Sequence, residues 1–418
     1  MFKNYLKITF AVLKRRKFFT FISLFGISFT LMILVVLTAF VNHLVSPGYP
    51  ETKRDRCLYI DKFEQIDTLK NSRRSGPVSF HYIKNYVSRL TSPERIGFSS
   101  FTNSVNAYVK QTKVNLFYKY TDANFWKIAD FEFLEGKPFT EQNIANNDFV
   151  IVINDFTRDK YFGKGVSVVG KNIEIDNVNY RIIGVVRGCP ITRTYVSSDV
   201  YMPYNTSKKD YMRKELAGEY IVLLLAKDAG DLPEIKAEYQ SLIAKLPFRN
   251  YSDKWFKPNK IHSTADTFIG SFLSQLTHSD GDAKKHYVYL ILIGFALLFM
   301  SLPAINLINV NISRIMERAS EIGIRKAFGA SSRTLTYQFV IENVILTLIG
   351  GVIALLLSFG VIYYINNSGM IPYADLTINW KVFLTAVIIS LLFGLLSGVY
   401  PAWRMSKLQV VQALKGGE

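Results

Sequence analysis

Long stretches without charged side chains most constrain the fold of this 418-residue chain. Apolar runs that can cross about 30 Å of hydrocarbon as helices occur in four places. They predict transmembrane helices at 18–44, 286–312, 334–366 and 382–403. The first run follows basic residues, as in a signal peptide, but it is too long and lacks a small-residue cleavage site. We therefore predict a retained anchor and four spans.

The placement of basic residues predicts the orientation of these helices. The chain has 50 Lys and Arg against 33 Asp and Glu, and basic short loops remain in the cytoplasm. Such residues precede the first run and follow the second: Lys3, Lys7, Lys14, Arg15, Arg16, Lys17, Arg314, Arg318, Arg325, Lys326 and Arg333. Both termini, including the tail 404–418, are thus predicted to be cytoplasmic, and 367–381 a short external loop. Because topology explains much of the basic surplus, no nucleic acid partner is expected.

The segment 45–285 is predicted to be external, since long loops translocate largely regardless of charge. Short β-type runs alternate there with two helical patterns, at 79–90 and 232–246. Strands are predicted at 103–109, 114–120, 149–154, 172–175, 180–186, 199–203 and 220–226, with a hairpin turn at Asp176 and Asn177. The predicted fold class is therefore a membrane α-helical protein with four transmembrane helices and a large inserted extracytoplasmic α+β domain.

Two cysteines, Cys57 and Cys189, both lie in the external segment, where thiols can be oxidised. Two interpretations stay open, because sequence spacing does not give spatial separation. The cysteines could form a disulfide, or they could be two unrelated small apolar residues.

The sequence offers little for chemistry within this chain. It has no HExxH, CxxC or GxSxG motif, and its five histidines are scattered. The stretch 165–171, GVSVVGK, matches the start of a phosphate-binding loop, but Asn172 replaces the Ser or Thr that should hold magnesium. We predict no catalytic site, no metal site and no cofactor bound by this chain.

Small residues recur every four positions in the last two predicted spans. They are Gly350, Ala354 and Ser358 in one span and Ser390, Gly394 and Gly398 in the other. Such stripes let helix backbones approach closely in lipid, so we predict tight packing within or between subunits. The alternative is the general enrichment of glycine in spans. The segment 1–17 is predicted to be an amphipathic helix lying on membrane lipid at the cytoplasmic face.

The cytoplasmic segment 313–333 is predicted to form a short helix. Glu321 precedes Arg325 by one turn, and Gly329 can cap the end. Apolar side chains among its charges exceed what a connector needs, which indicates a docking surface. The predicted docking residues are Ile315, Arg318, Glu321, Ile322, Gly323, Ile324, Arg325, Lys326 and Gly329.

Within this helix, the sequence EIGIRKAFGAS at 321–331 resembles a signature of the MacB/FtsX family of ABC permeases, also called type VII ABC transporters. The tail YPAWRMSKL at 400–408 resembles the family's ending, although Val410 stands where many members have proline. FLEGKPF at 133–139 and YRIIGVV at 180–186 resemble phrases of its periplasmic core domain. The resemblance spans almost the whole chain.

This resemblance implies a multi-pass permease of the bacterial inner membrane that pairs with a second copy or a homologue. A separate cytoplasmic ABC ATPase, which binds the ATP and magnesium, would dock on the helix 313–333 and move the external domain. The implied function is export of a periplasmic peptide, antimicrobial, toxin or lipoprotein, with a periplasmic adaptor as a further partner. One alternative is an FtsX-like regulator that controls a cell-wall hydrolase without transport. Another is a sensor without an ATPase, which would leave the cytoplasmic helix unexplained.

Overall fold

The computed structural model describes residues 11, 13–15, 17–109, 112–247, 256–277, 282, 286–298, 301 and 332–406. Its contacts divide the chain into two units. The helical unit comprises Met1–His43, Val288–Met370 and Asp375–Glu418, and the sheet unit comprises Leu44–Tyr287 and Ile371–Ala374. The sheet unit therefore contains the segment predicted to be external together with four residues of the predicted loop 367–381.

The helices are α1 (Lys17–Val45), α2 (Phe80–Asn85), α3 (Phe125–Ile128), α4 (Glu141–Ala145), α5 (Asp155–Phe162), α6 (Leu232–Ala244), α7 (Phe268–Thr277), α8 (His286–Leu298), α9 (Ser332–Asn367) and α10 (Trp380–Ser406). The strands are β1 (Cys57–Ile60), β2 (Phe63–Asp67), β3 (Ser72–Gly76), β4 (Arg95–Ser100), β5 (Asn103–Val109), β6 (Thr112–Thr121), β7 (Phe133–Gly136), β8 (Val150–Asn154), β9 (Asn172–Ile175), β10 (Val178–Val186), β11 (Val200–Pro203), β12 (Tyr220–Leu225) and β13 (Lys260–His262).

Two helices in the described part of the chain are long and apolar enough to cross a membrane: α1 and the Val340–Asn367 part of α9. The apolar stretches His286–Leu298 and Trp380–Leu392 are shorter. The count of four spans stays a prediction, because only part of 286–312 is described. Hydroxyl groups inside α1 are satisfied along the helix, as where Thr30 Oγ1 donates to Gly26 O at 2.9 Å, which suits an environment without water.

Within the helical unit, α1, α9 and α10 share one apolar cluster. Ile27, Leu31 and Leu34 of α1 pack there with Ala354 of α9 and Ala386 of α10. The contributions of α9 and α10 are alanines, so these backbones can lie close to α1.

The sheet unit contains a ten-stranded mixed sheet with the order β1-β12-β4-β6-β11-β8-β10-β7, to which β5 adds beside β6 and β9 beside β10. The pairs β6–β11 and β8–β10 are parallel. A smaller sheet has the order β13-β2-β3. Every residue of β12 is buried, because Val222 and Leu224 enter one core while Ile221 and Leu223 enter another on the opposite face. A strand covered on both faces has an unbroken apolar sequence.

Two local predictions can be compared directly with the backbone. Asp176 and Asn177 have φ angles of 51° and 60° and join the antiparallel strands β9 and β10, so the predicted hairpin is confirmed. The predicted helix 79–90 is wrong in its second half, because Tyr86 leaves helical geometry at φ −124°. In the GVSVVGK stretch, Gly170 N–H donates to Ile182 O at 2.8 Å, so this stretch borders β10.

Candidate transmission site

The residues predicted to dock an ATPase, Ile315 to Gly329, lie outside the described residues. Cys57 and Cys189 are both buried and free in the structure, so the disulfide is absent from it. Burial raises the pKa of each thiol to about 12. Both therefore remain protonated and unreactive at neutral pH.

The predicted packing stripe of α9 is buried at Gly350, Ala354 and Ser358. A Cβ atom placed on Gly350 would lie 2.7 Å from the side chain of Ile27 in α1, so a larger residue would push the two helices apart. On α10, Ser390 is buried. The surroundings of Gly394 and Gly398 lie outside what the structure describes.

A loop of the sheet unit that the sequence did not single out has a position suited to transmission. This junction loop, residues 187–199, connects β10 to β11. Within the sheet unit it contacts 44–46 and Ile371–Ala374, where the chain passes between the two units, and α7, the helix that ends at Thr277.

The first contact joins the junction loop to the end of α1. Arg193 Nη1 donates to the carbonyl oxygen of Ser46 at 2.9 Å. Arg54 Nη1 donates to the carbonyl oxygen of Leu44 at 2.5 Å. Two guanidinium groups therefore bind carbonyls at and just after the C-terminal end of α1, where the helix dipole is negative.

A buried carboxylate holds both arginines. Glu51 pairs with Arg54 and lies 3.9 Å from Arg193 Nη1, and each of these side chains is at most 4% exposed. Tyr59 Oη donates to Glu51 Oε1 at 3.1 Å. The Arg54 guanidinium also lies 3.9 Å above the Phe268 ring of α7. Burial and the neighbouring Arg54 lower the pKa of Arg193, so the Glu51 charge is what stabilises this cation.

The second contact joins the junction loop to α7. Tyr195 Oη donates to Asp61 Oδ2 at 2.8 Å and lies against Ser271 Oγ. Ser271 Oγ in turn donates to the same Asp61 oxygen at 2.5 Å. The Tyr195 ring packs edge-on against Phe268, with centroids 5.8 Å apart. Burial and the Asp61 charge raise the pKa of Tyr195 well above its usual range, so its hydroxyl remains a donor.

The third contact joins the junction loop to Ile371–Ala374. Tyr373 Oη donates to Asp155 Oδ1 at 2.6 Å. The same oxygen accepts the backbone N–H of Gly188 at 2.9 Å. One carboxylate oxygen thus links the turn that precedes α10 to the start of the junction loop.

The junction loop is itself fixed in shape. Val196 N–H and Ser197 N–H both donate to Arg193 O, at 2.9 and 2.8 Å. Tyr201 Oη, from β11, donates to Val196 O at 2.9 Å. A displacement at one end of such a loop must move the adjoining strands.

Sequence reasoning could not find this site, since its members are far apart in the chain and have no common spacing. Gly188, Cys189 and Pro190 indicate only a turn. A signal was nevertheless present: Arg193 falls in a segment whose neighbours Tyr195 and Val196 are apolar or aromatic, and a charge in such a segment is buried only when paired.

Comparison with family models decides the relationship. A MacB-like periplasmic core domain matches residues 20–242, and an FtsX-like permease C-terminal region matches residues 293–410. The chain belongs to the MacB/FtsX family of ABC transporter permeases. FtsX-like permeases are membrane-embedded, and an ABC permease implies an ATPase partner.

Curated relatives agree with this membership. The chain is 24% identical over 366 residues to the uncharacterized ABC transporter permease YknZ of Bacillus subtilis, covering 82% of this chain and 86% of that one. It is 29% identical over 287 residues to the macrolide export ATP-binding/permease protein MacB of Campylobacter fetus, covering 69% of this chain but only 41% of the relative. The chain thus spans less than half the length of that MacB, whose name includes an ATP-binding part.

Solved structures with related names match part of the chain at low TM-scores. The periplasmic region of MacB from Actinobacillus actinomycetemcomitans aligns with a TM-score of 0.37 at 12% identity, covering 56% of this chain and 92% of that one. The extracellular domain of YknZ aligns with a TM-score of 0.35 at 16% identity, covering 44% and 93%. At these scores the likeness adds no argument of its own.

Proposed function

We propose that this chain is the permease subunit of an ABC transporter that converts ATP hydrolysis by a separate cytoplasmic ATPase into movement of its sheet unit. The movement would serve export of a periplasmic substrate such as a peptide, antimicrobial, toxin or lipoprotein. The chain would lie in the bacterial inner membrane with both termini cytoplasmic, and would pair with a second copy or a homologue. A periplasmic adaptor is a further expected partner.

One observation carries the proposal: the junction loop binds 44–46 and Ile371–Ala374, where the chain passes between the two units, and it also binds α7. A merely tethered domain needs only peptide bonds at those places. Three separate sets of directional contacts on one loop are what a domain needs if helix displacements are to reach it without loss.

The charges at the first contact explain why the chain at 44–46 and the junction loop would move together. Separating Ser46 O from Arg193 would break a hydrogen bond to a charged donor, which is worth about 1.5–3 kcal/mol. Arg193 is itself held by Glu51, and breaking that buried pair costs roughly 3–5 kcal/mol. The Tyr195 and Tyr373 hydroxyls donate to the carboxylates of Asp61 and Asp155, so their bonds are charge-assisted as well and of similar strength to the bond to Ser46.

The helix 313–333 is proposed as the point where the ATPase acts. An ABC ATPase works as a dimer, and this segment supplies one docking helix per chain, so two permease copies are required. Its apolar residues would dock in a groove of the ATPase, while Glu321 and Arg325 form rim charge pairs that are individually weak. Packing at Ile322 and Gly323 should therefore matter more than either charge.

The test uses the complex of this chain with its ATPase, reconstituted in lipid with spin labels on the two sheet units. The wild type should change its label distance on adding ATP. Ile322→Asp should bury an unpaired carboxylate and Gly323→Trp should overpack the groove, and both should abolish the change. Leu69→Asp, at a side chain that is 91% exposed in the sheet unit, is the control and should respond as the wild type does.

Wild-type amplitude in both docking variants would contradict the proposed transmission path. Transport and pure mechanotransmission are separated in the same vesicles. An FtsX-like regulator would show the ATP-driven distance change and bind an outer hydrolase, yet expel no peptide or antimicrobial loaded on the external side.

A further inference from the structure

We propose that Tyr373 is a positioning residue, a latch by which the turn between α9 and α10 holds the junction loop at Gly188. This inference rests on the proposed function, in which ATP hydrolysis moves the helices. Tyr373 determines whether movement of α9 and α10 reaches the sheet unit.

The hydrogen bonds of the latch converge on one atom. Asp155 Oδ1 accepts from Tyr373 Oη at 2.6 Å, from Gly188 N at 2.9 Å and from its neighbour Phe156 N at 3.0 Å. An ionised carboxylate oxygen accepts several donors more strongly than a neutral oxygen does. Tyr373 and Gly188 are therefore held to the same point.

The ring of Tyr373 covers Gly188 directly. A Cβ atom built on Gly188 would lie 2.1 Å from Cζ and 2.4 Å from Cε2 of Tyr373, and these ring atoms are its nearest neighbours. Glycine is thus needed at this position because the tyrosine occupies the space of a side chain. The Tyr373 backbone adopts φ 58°, which is uncommon for a residue with a side chain and aims the ring at the loop.

The turn that carries Tyr373 has a closed base. Asn366 Nδ2 donates to Leu376 O at 3.1 Å, and Leu376 N–H donates to Asn366 Oδ1 at 3.0 Å. These two bonds close the base of the loop at the end of α9, before α10 begins at Trp380. A displacement of α9 would therefore act on both ends of the loop that carries Tyr373.

The chemistry of the pair keeps the latch intact at neutral pH. Burial, followed by the hydrogen bond and charge of Asp155, raises the pKa of Tyr373 above its usual range. The hydroxyl is therefore protonated at neutral pH and available as a donor to Asp155.

The experiment is a double-mutant cycle in the full chain. It measures hydrogen exchange at the Gly188 amide and the ATP-driven change in distance between spin labels on the two sheet units. Tyr373→Ala should speed exchange at the Gly188 amide roughly threefold to tenfold, as expected for loss of about one hydrogen bond. It should also reduce the ATP-driven distance change by at least half.

The cycle separates the latch from general damage to the fold. Gly188→Ala alone should act like Tyr373→Ala, because its methyl group displaces the ring. Gly188→Ala added to Tyr373→Ala should change nothing more, since the opposing ring is gone. Tyr363→Phe, which removes a hydroxyl from a side chain that is 72% exposed on α9, is the control and should match the wild type.

Unchanged exchange at Gly188 in Tyr373→Ala would overturn the contact. Faster exchange with a wild-type distance change would overturn the positioning role. Additive effects of the two substitutions would also count against the latch. A wild-type complex that ignores ATP would overturn the proposed function instead, and the exchange measurement would still decide whether the latch forms.

Discussion

Lys119 is a fully buried cation in the sheet unit. Its Nζ donates to Ser100 O at 2.9 Å, and no carboxylate in the described residues lies within ion-pair distance of it. Burial lowers the pKa of Lys119 from 10.5 to about 7, although Cys189 and Glu51 oppose the shift. Since the unfolded chain keeps the ordinary pKa, the unfolded state binds more protons between pH 7 and 10.5.

Stability of the sheet unit should therefore rise with pH over that window and be lowest, for this group, below pH 7. Replacing Lys119 by methionine removes the penalty of the buried charge, roughly 5 kcal/mol for this shift, but leaves Ser100 O without a donor, which costs about 1–3 kcal/mol. Lys119→Met should thus be about 3 kcal/mol more stable than the wild type at pH 6. Towards pH 10 the lysine is neutral in the folded state, so the difference should change sign, because the variant still lacks the hydrogen bond to Ser100 O.

The difference in stability between Lys119→Met and the wild type is measured by unfolding the full chain in detergent at several pH values. Fluorescence of the buried Trp126 is the signal for the sheet unit. The difference between variant and wild type isolates Lys119 from other titrating groups. A difference that is independent of pH, or a less stable variant at pH 6, would show that this lysine does not titrate near neutrality.

Single residues also show which members of the candidate site could be predicted from the sequence. The segment 321–331 carries a local motif, so its role could be predicted without a fold. Glu51, Arg54 and Arg193 carry no motif, and the apolar neighbours of Arg193 indicate only that a charge buried there must be paired, not which residue pairs with it. Only the fold brings Arg193 to Glu51.

At the scale of elements, the sequence predicted β5, β6, β8, β9, β10, β11 and β12 and missed β1, β2, β3, β4, β7 and β13, although β1 and β2 are almost wholly buried. β5 and β9 have the predicted bounds, and β8, β10 and β12 differ from the prediction by at most two residues at either end. β3 was missed because its sequence, SRRSG, is polar throughout and its central residues are exposed. Its pairing with β2 comes from tertiary structure and not from an alternating pattern.

Helix packing in the helical unit gives a prediction with a matched control on the same helix. Gly350 faces Ile27 at 2.7 Å from a built Cβ, whereas nothing lies within 4 Å of the corresponding atom at Gly360. Gly350→Leu should destabilise the helical unit by about 1–3 kcal/mol through overpacking. Gly360→Leu should cost nothing measurable, because its side chain would point into open space.

Thermal unfolding of the detergent-solubilised chain compares the two variants. Adding Ile27→Ala to Gly350→Leu should recover part of the loss, since it makes room for the leucine. Equal destabilisation by both glycine substitutions would mean that the small-residue stripe matters for backbone conformation and not for contact with α1.

At the scale of the whole molecule, the sequence predicted membrane helices and an inserted α+β domain from two independent physical signals. Hydropathy marks the helices because lipid excludes charge, and β-type runs mark the inserted segment 45–285. The sequence could not predict that Ile371–Ala374 joins the sheet unit, since this short turn has no composition that distinguishes it. Its assignment depends on Tyr373 and Asp155, which are remote in the chain.

The last prediction concerns the orientation of the chain in the membrane, which was predicted from the basic residues that flank the apolar runs. Cys57 and Cys189 are first replaced by alanine, which their buried positions should tolerate with a modest loss of stability. Single cysteines are then placed at Lys137, which is exposed in the sheet unit, and at Ser320 in the predicted docking helix. A membrane-impermeant thiol reagent should label the cysteine at 137 in intact spheroplasts, and the cysteine at 320 only after lysis. Labelling of both positions before lysis would place the docking helix outside, where no ATPase could reach it, and the orientation would be wrong.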